Sequence, residues 1–177
     1  MQNQSIFGRL GKLIQRTKGD MLFQQGDHDT SIYVVTTGLL KAYYLTMDGK
    51  ELIKSFIPEG EFIGSLIACQ SGEPCTFNLT CLEDSQLLKV SFADLQAVSD
   101  ANKEAAELLT QSLISLAIKK ERREYEFLCL SAADRYRLLK ERSPELLCRL
   151  TQNDIARYLG ITAVALSRIK QRINAED

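Results

Sequence analysis

The chain has 177 residues, 45% of them apolar and 25% charged, with a formal net charge of -1. That is the composition of an ordinary globular protein with enough chain for one large domain, or a medium one and a small one, around a core that needs no staples. No apolar run approaches the roughly 18–20 residues that a membrane span requires, so no membrane partner is expected. The charge is uneven. From Leu128 onward, 9 Lys and Arg stand against 6 Asp and Glu, a net +3, while the remainder (13 basic, 17 acidic) carries -4. A mildly basic tail on an acidic body suits a nucleic-acid-reading end joined to a sensing body.

Cys69, Cys75, Cys81, Cys129 and Cys148 are odd in number and form no CxxC pair. The chain begins MQNQS, without a charged and then apolar leader. Both features point to a reduced, cytoplasmic setting with mostly buried thiols. The alternative is a redox or metal role for Cys69, Cys75 and Cys81. His28 is the only histidine, in a Gly-Asp-His-Asp turn, so a full ligand set is hard to assemble. No metal and no cofactor is expected.

In chain order, residues 1–18 suggest one or two short helices, because Ile6, Leu10, Leu13 and Ile14 recur at helical spacing. From Gly19 to Ser91 the pattern changes to short β-prone runs between turn residues. The runs are Met21–Gln24, Ser31–Thr36, Leu39–Thr46, Glu51–Ile57, Thr76–Cys81 and Gln86–Val90, an antiparallel sandwich or barrel pattern. Asp48-Gly49 between two of them signals a hairpin. Phe92–Val98 reads as a short helix and Asp100–Phe127 as a long one. Along the long helix Ala106, Leu109, Leu113, Leu116, Lys120, Arg123 and Phe127 step by three and four, a heptad seam. Leu108, Ile114 and Ile118 form a second row, expected to face the β-domain. Two apolar faces call for two partners, the chain's own β-domain and a sister helix, hence a homodimer through Asp100–Phe127. A single broad core-facing stripe is the other reading. Phe127–Leu130 is the expected hinge, Ser131 with Asp134 marks a helix start, and Ser143-Pro144-Glu145 breaks the chain.

Thr151–Ile173 carries most information. Thr151 can cap a helix presenting Ile155, Ala156 and Leu159 inward. Gly160 ends it with a positive φ, Ile161 plugs the gap, and Thr162 caps a second helix that buries Leu166, Ile169 and Ile173. A small residue, glycine four on and an apolar residue six further is helix-turn-helix spacing. An αα-hairpin used only for packing is the plain alternative. The candidate DNA-contacting residues are Thr151, Gln152, Thr162, Ala163, Val164, Ser167, Arg168, Lys170, Gln171 and Arg172. Arg168 suits a guanine edge, and Lys170 and Arg172 suit phosphates.

With these segments in view, the chain resembles the CRP/FNR family of transcription regulators over nearly its whole length. Asp48-Gly49-Lys50-Glu51 resembles the family's hairpin, Gly60-Glu61-Phe62-Ile63-Gly64 the start of its phosphate-binding cassette, and Gly160–Ile169 its recognition-helix segment. The resemblance implies an α+β fold. An N-terminal antiparallel double-stranded β-roll (a jelly roll of cyclic-nucleotide-binding type, residues 1–99) leads into a dimerisation helix (100–127) and a helix-turn-helix domain (128–177). The chain ends soon after Ile173, so a full wing is expected to be lacking. Double-stranded DNA is the implied partner, with RNA polymerase a further one. Phe62, Ile63, Gly64, Ser65, Leu66, Cys75, Thr76, Ile118 and Lys119 are the implied pocket. Where cyclic-nucleotide binders place a glutamate and an arginine, this chain has Ser65 and Cys75. A buried phosphate needs a charge-assisted partner, so cyclic AMP is not the expected effector, and no other effector is named by these residues. Early in the recognition helix, Ala163 and Val164 replace the charged pair of many relatives. This leaves open a second reading, a ligand-binding or dimerisation module with a vestigial DNA-binding domain acting as an anti-activator. An enzyme is not expected, since one histidine and scattered carboxylates provide no acid–base or metal set.

Overall fold

The computed structural model describes residues 3–176. The residues divide into two compact units, one formed by the chain up to Lys50 with Lys54–Leu113, the other by Glu51–Ile53 with Ile114 onward. The division falls inside the long helix rather than at its ends.

The first unit opens with α1 (Asn3–Leu10) and continues through β1 (Lys12–Arg16), β2 (Met21–Phe23), β3 (Ser31–Thr37), β4 (Leu40–Leu45), β5 (Glu51–Ile57) and β6 (Phe62–Ile63). It continues with α2 (Leu66–Ser71), β7 (Asn78–Cys81), β8 (Ser85–Ser91) and α3 (Phe92–Ala101). The strands form two four-stranded sheets, ordered β1-β8-β3-β6 and β2-β7-β4-β5. Every strand run expected from the sequence is present. The expected N-terminal helix fails in its second half, because Leu13 and Ile14 lie in β1, paired with Leu88 and Leu87. Gly11 permits the change. A Cβ there would lie 2.6 Å from the Phe7 carbonyl and 2.9 Å from Leu88 Cβ, so the chain turns tightly against β8. Residues 1 and 2 of that expected helix lie outside the described residues.

Alternation along β3 divides the packing. Tyr33 and Val35 face the interior of the roll, with Phe23, Leu40, Ala42, Ile57, Phe77, Leu79 and Leu87. Ile32 and Val34 face outward into a second cluster with Phe7, Val90 and Leu95, against which Phe62 and Leu109 pack. A strand buried on both faces reads as a continuous apolar run, which is why Ile32–Val35 shows no polar alternation.

The long helix is α4 (Lys103–Cys129), not Asp100–Phe127. Asn102 leaves the helical conformation (φ -141°), and the Ala105 N–H donates to its Oδ1 at 3.1 Å, so Asn102 caps α4. Burial divides the faces of α4. Ala105 and Ser112 are buried and Leu109 packs on the outer cluster of the roll, whereas Leu113, Ile114, Ile118, Tyr125, Phe127 and Leu128 are exposed. Ile114 and Ile118, expected to face the β-domain, are exposed and belong to the second unit. At about 100° per residue around the axis, Ile114, Ile118, Tyr125 and Leu128 lie away from Ala105, Leu109 and Ser112, with Leu113 on the flank between them.

Beyond α4 come α5 (Ala132–Arg142), α6 (Pro144–Arg149), α7 (Gln152–Leu159) and α8 (Ala163–Glu176). Ser131 caps α5, accepting from the Asp134 N–H at 3.2 Å, and Pro144 opens α6 at its first turn. The segment expected as a hinge is helical to Cys129, and the Phe127 and Leu130 carbonyls accept from Arg135 at 3.1 and 2.8 Å.

Candidate functional site

The two helices α7 and α8 are set by local chemistry. The Thr151 hydroxyl accepts from the Asp154 N–H at 3.1 Å and donates to the Asp154 carboxylate, closing the first turn of α7. At its other end Gly160 sits at φ +71°, and the Ile161 N–H returns to the Ala156 carbonyl at 3.0 Å. This left-handed closure needs glycine. Thr162 then caps α8, accepting from the Ala165 N–H at 3.2 Å. Ile155, Ala156, Leu159, Leu166 and Ile173 are all buried, and the small Ala156 lets the helices approach.

The outer surface of the pair carries Thr151, Gln152, Thr162, Val164, Ser167, Arg168, Gln171 and Arg172, all exposed. At helical spacing Val164, Ser167, Arg168 and Gln171 share one face of α8. Val164, an apolar side chain, is 62% exposed there. Ala163 and Lys170 are half-buried, and the Lys170 ammonium lies 5.8 Å from the Tyr136 ring centroid. Lys170 is thus turned toward α5, away from the face that its sequence neighbours present.

In the first unit, the structure brings most of the expected pocket residues into one stretch. Phe62 and Ile63 form β6, facing opposite clusters. Gly64 follows where a Cβ would come within 2.7 Å of the Ser31 carbonyl. Ser65, 1% exposed, caps α2 by accepting from the Ala68 N–H, and Leu66 begins that helix. Cys75, also 1% exposed, is part of the roll's apolar interior, with its thiol 3.8 Å from the Asp29 carbonyl. Thr76 is exposed. Ile118 and Lys119 belong to the second unit and are exposed. These residues do not fit a cyclic phosphate. Ser65 is spent on a helix cap, Cys75 is packed among hydrocarbon, and Gly60–Phe77 contains no lysine or arginine but two glutamates, Glu61 and Glu73. An ionic phosphate placed here would lack its charge partner.

The other thiols divide by unit. Cys81 is buried and Cys69 half-buried, but Cys129 and Cys148 are exposed, against the expectation of mostly buried thiols. Burial first, then the neighbouring Asp29 and Cys75, pushes the Cys69 thiol up to about 11. His28 is an exposed turn residue with Nδ1 3.2 Å from the Gly72 carbonyl. Among the described residues, no group of three or more His, Cys, Asp or Glu is placed to hold a metal ion. No helix there is long and apolar enough to cross a membrane.

The family model of the cyclic nucleotide-binding domain matches residues 13–102, just over half of the chain. The chain belongs to that family, as a DNA-binding transcriptional regulator of the CRP/FNR type. It is 29% identical to the fumarate and nitrate reduction regulatory protein of Salmonella typhi, in an alignment covering 96% of this chain and 73% of that one. The Escherichia coli K12 protein of the same name matches at the same identity and coverage. Among solved structures, FixK2 from Bradyrhizobium japonicum superposes with a TM-score of 0.80 at 19% identity, covering 94% of this chain and 85% of its own. The c-di-GMP responsive global regulator CLP of Xanthomonas campestris gives 0.76 at 19% identity, covering 96% and 89%.

Sequence reasoning on this CRP/FNR-type regulator missed a second group of side chains, behind α7. Arg123 donates to the Tyr158 carbonyl and stacks 3.9 Å from the Tyr158 ring centroid. Arg135 donates to the Leu159 carbonyl at 3.0 Å. Both guanidiniums lie over Phe127. Nothing in the local pattern announces them, because their acceptors are backbone carbonyls of residues distant in the chain.

Proposed function

We propose that this regulator acts as a homodimer paired through α4, reads a two-fold-symmetric DNA site with α8, and does not respond to cyclic AMP. The observation that carries the reading is the exposed face Val164, Ser167, Arg168 and Gln171 on a helix-turn-helix capped at both ends of α7 and at the start of α8. Arg168 pairs with a guanine edge in the major groove, a contact worth about 1–3 kcal/mol of discrimination. Val164 takes a thymine methyl, the apolar group that groove offers. Ser167, Thr162, Gln171, Thr151 and Gln152 supply hydrogen bonds to bases and phosphates, and Arg172 neutralises phosphate. The exposed stripe Leu113, Ile114, Ile118, Tyr125 and Leu128 supports a second copy as the partner of α4. Ile114, Ile118, Tyr125 and Leu128 step by four, seven and three, the spacing of a helix pairing with its like. Two recognition helices held about 34 Å apart then reach successive major grooves. RNA polymerase is the further partner, and the cytoplasm the setting, that such a regulator implies.

Selection of bound sequences from a random duplex pool, at about 0.15 M salt, tests the reading. Enrichment of a palindrome is the expected result, with Arg168→Ala relaxing preference at one position per half-site. The second reading, an anti-activator with a vestigial DNA end, draws on Ala163 and Val164 standing where many relatives carry charge. A folded dimer that enriches no sequence, even in cell extract, would establish it instead.

A further inference from the structure

We infer that Arg123 and Arg135 form a guanidinium clasp that fixes the turn before the recognition helix to the last turns of α4, making them positioning residues for DNA binding. The inference rests on the paired-helix reading above only for its consequence on DNA, not for the clasp itself.

A helix ends with carbonyls that have no partner within it and carry partial negative charge. Two such ends meet behind α7. Arg135 Nη1 donates to the Phe127 and Leu130 carbonyls at the end of α4, at 3.1 and 2.8 Å, while its Nη2 donates to the Leu159 carbonyl at the end of α7, at 3.0 Å. One planar group therefore holds three carbonyls from two helix ends. Arg123 adds the Tyr158 carbonyl. The Phe127 ring lies under both cations, its centroid 5.3 Å from the Arg123 and 4.7 Å from the Arg135 guanidinium carbon. The same ring bears on the turn itself, since a Cβ at Gly160 would lie 2.8 Å from Phe127 Cζ. Two like charges packed around one ring repel, and burial disfavours the charge on Arg123. The helix-end carbonyls and the ring face offset that cost.

None of these side chains belongs to the exposed face of α8, so the clasp acts through position. With Phe127 against Gly160, the orientation of α8 follows that of the last turns of α4. In a dimer paired through α4, the clasp would then convert helix pairing into a defined separation between two recognition helices. Lysine could not replace Arg135, because a point charge on a flexible stem cannot hold three carbonyls in one plane.

The test uses the full chain with Arg135→Gln and the milder Arg123→Gln, and Arg142→Gln as a control that breaks only the Glu126–Arg142 ion pair. Amide hydrogen exchange is read at Leu130, Gly160 and Ile161, whose N–H groups close the two helix ends. The expected result is a joint rise of about ten-fold or more at these amides in the clasp variants, with β3 unchanged and the control near wild type. Unchanged exchange in both clasp variants would overturn the clasp. DNA binding is then compared on a single half-site and on palindromes with half-sites moved by one or two base pairs. A positioning role predicts unchanged half-site affinity and an about ten-fold weaker preference for the optimal spacing. Retained preference, or loss of half-site affinity in parallel, would overturn that role. A wild-type protein without any spacing optimum would overturn the paired-helix reading instead, and leave exchange alone to judge the clasp.

Discussion

Gly160 shows how much one position can hold. It needs a left-handed backbone at φ +71°, and it leaves no room for a methyl group beside Phe127. Gly160→Ala should destabilise the chain by about 1–3 kcal/mol in denaturant melts, from backbone strain plus the clash. Combined with Phe127→Leu the two costs should not add, because the smaller side chain relieves the contact. The thiols make a second prediction. With Cys69 pushed up to about 11, alkylation at pH 8 should modify exposed Cys129 and Cys148 first, Cys69 slowly, and buried Cys75 and Cys81 only on unfolding. Mass spectrometry of the labelled protein would show the order. At the start of α5, the Ser131 hydroxyl, and then Arg137, hold the Asp134 carboxyl below its ordinary 3.8. A carboxyl depressed on folding stabilises the native state above its unfolded value, and that stabilisation fades as pH falls through the folded value. The melting-temperature gap between wild type and Asp134→Asn should therefore narrow below about pH 4.

At the scale of the element, α4 shows what was legible and what was not. Its existence follows from the glycine-free run after Phe92, but its start does not, since Asn102 caps the helix by a side-chain bond that periodicity ignores. The expected seam does not run straight along the helix. Positions seven apart drift by about 20° per heptad on a straight helix. The row from Ala106 to Phe127 therefore rotates from the helix flank toward the face that holds Arg123 and Phe127 against Tyr158 and Gly160. The stripe that stays exposed begins at Leu113 and runs through Ile118 to Tyr125. Ile118→Glu should shift the protein from dimer to monomer in sedimentation velocity, with its far-ultraviolet circular dichroism unchanged. A dimer that survives this change would assign pairing to another surface. By contrast α7 and α8 were legible to within a residue or two, because Thr151, Gly160 and Thr162 are local signals that act within three or four residues.

For the whole molecule, a net charge of -1 conceals the basic stretch from Leu128 onward, and DNA affinity should fall steeply with salt. Arg172→Ala should reduce the slope of log K against log salt by about 1 and leave sequence preference intact, whereas Arg168→Ala should alter preference. The β-roll was legible as alternating short strands. Its two smallest features, β6 and the Gly11 turn into β1, were not, since two residues and a single glycine leave no periodicity to read. The interior of that roll has one more consequence. A sensor built around a buried arginine is under tension when empty, because the cation waits for its anion, and occupancy then shows up as heat resistance. With Cys75 and Ser65 in those places, the roll holds no such waiting cation there, and cyclic AMP should bring it no heat resistance. Its melting curve should stay still as millimolar cyclic AMP is added.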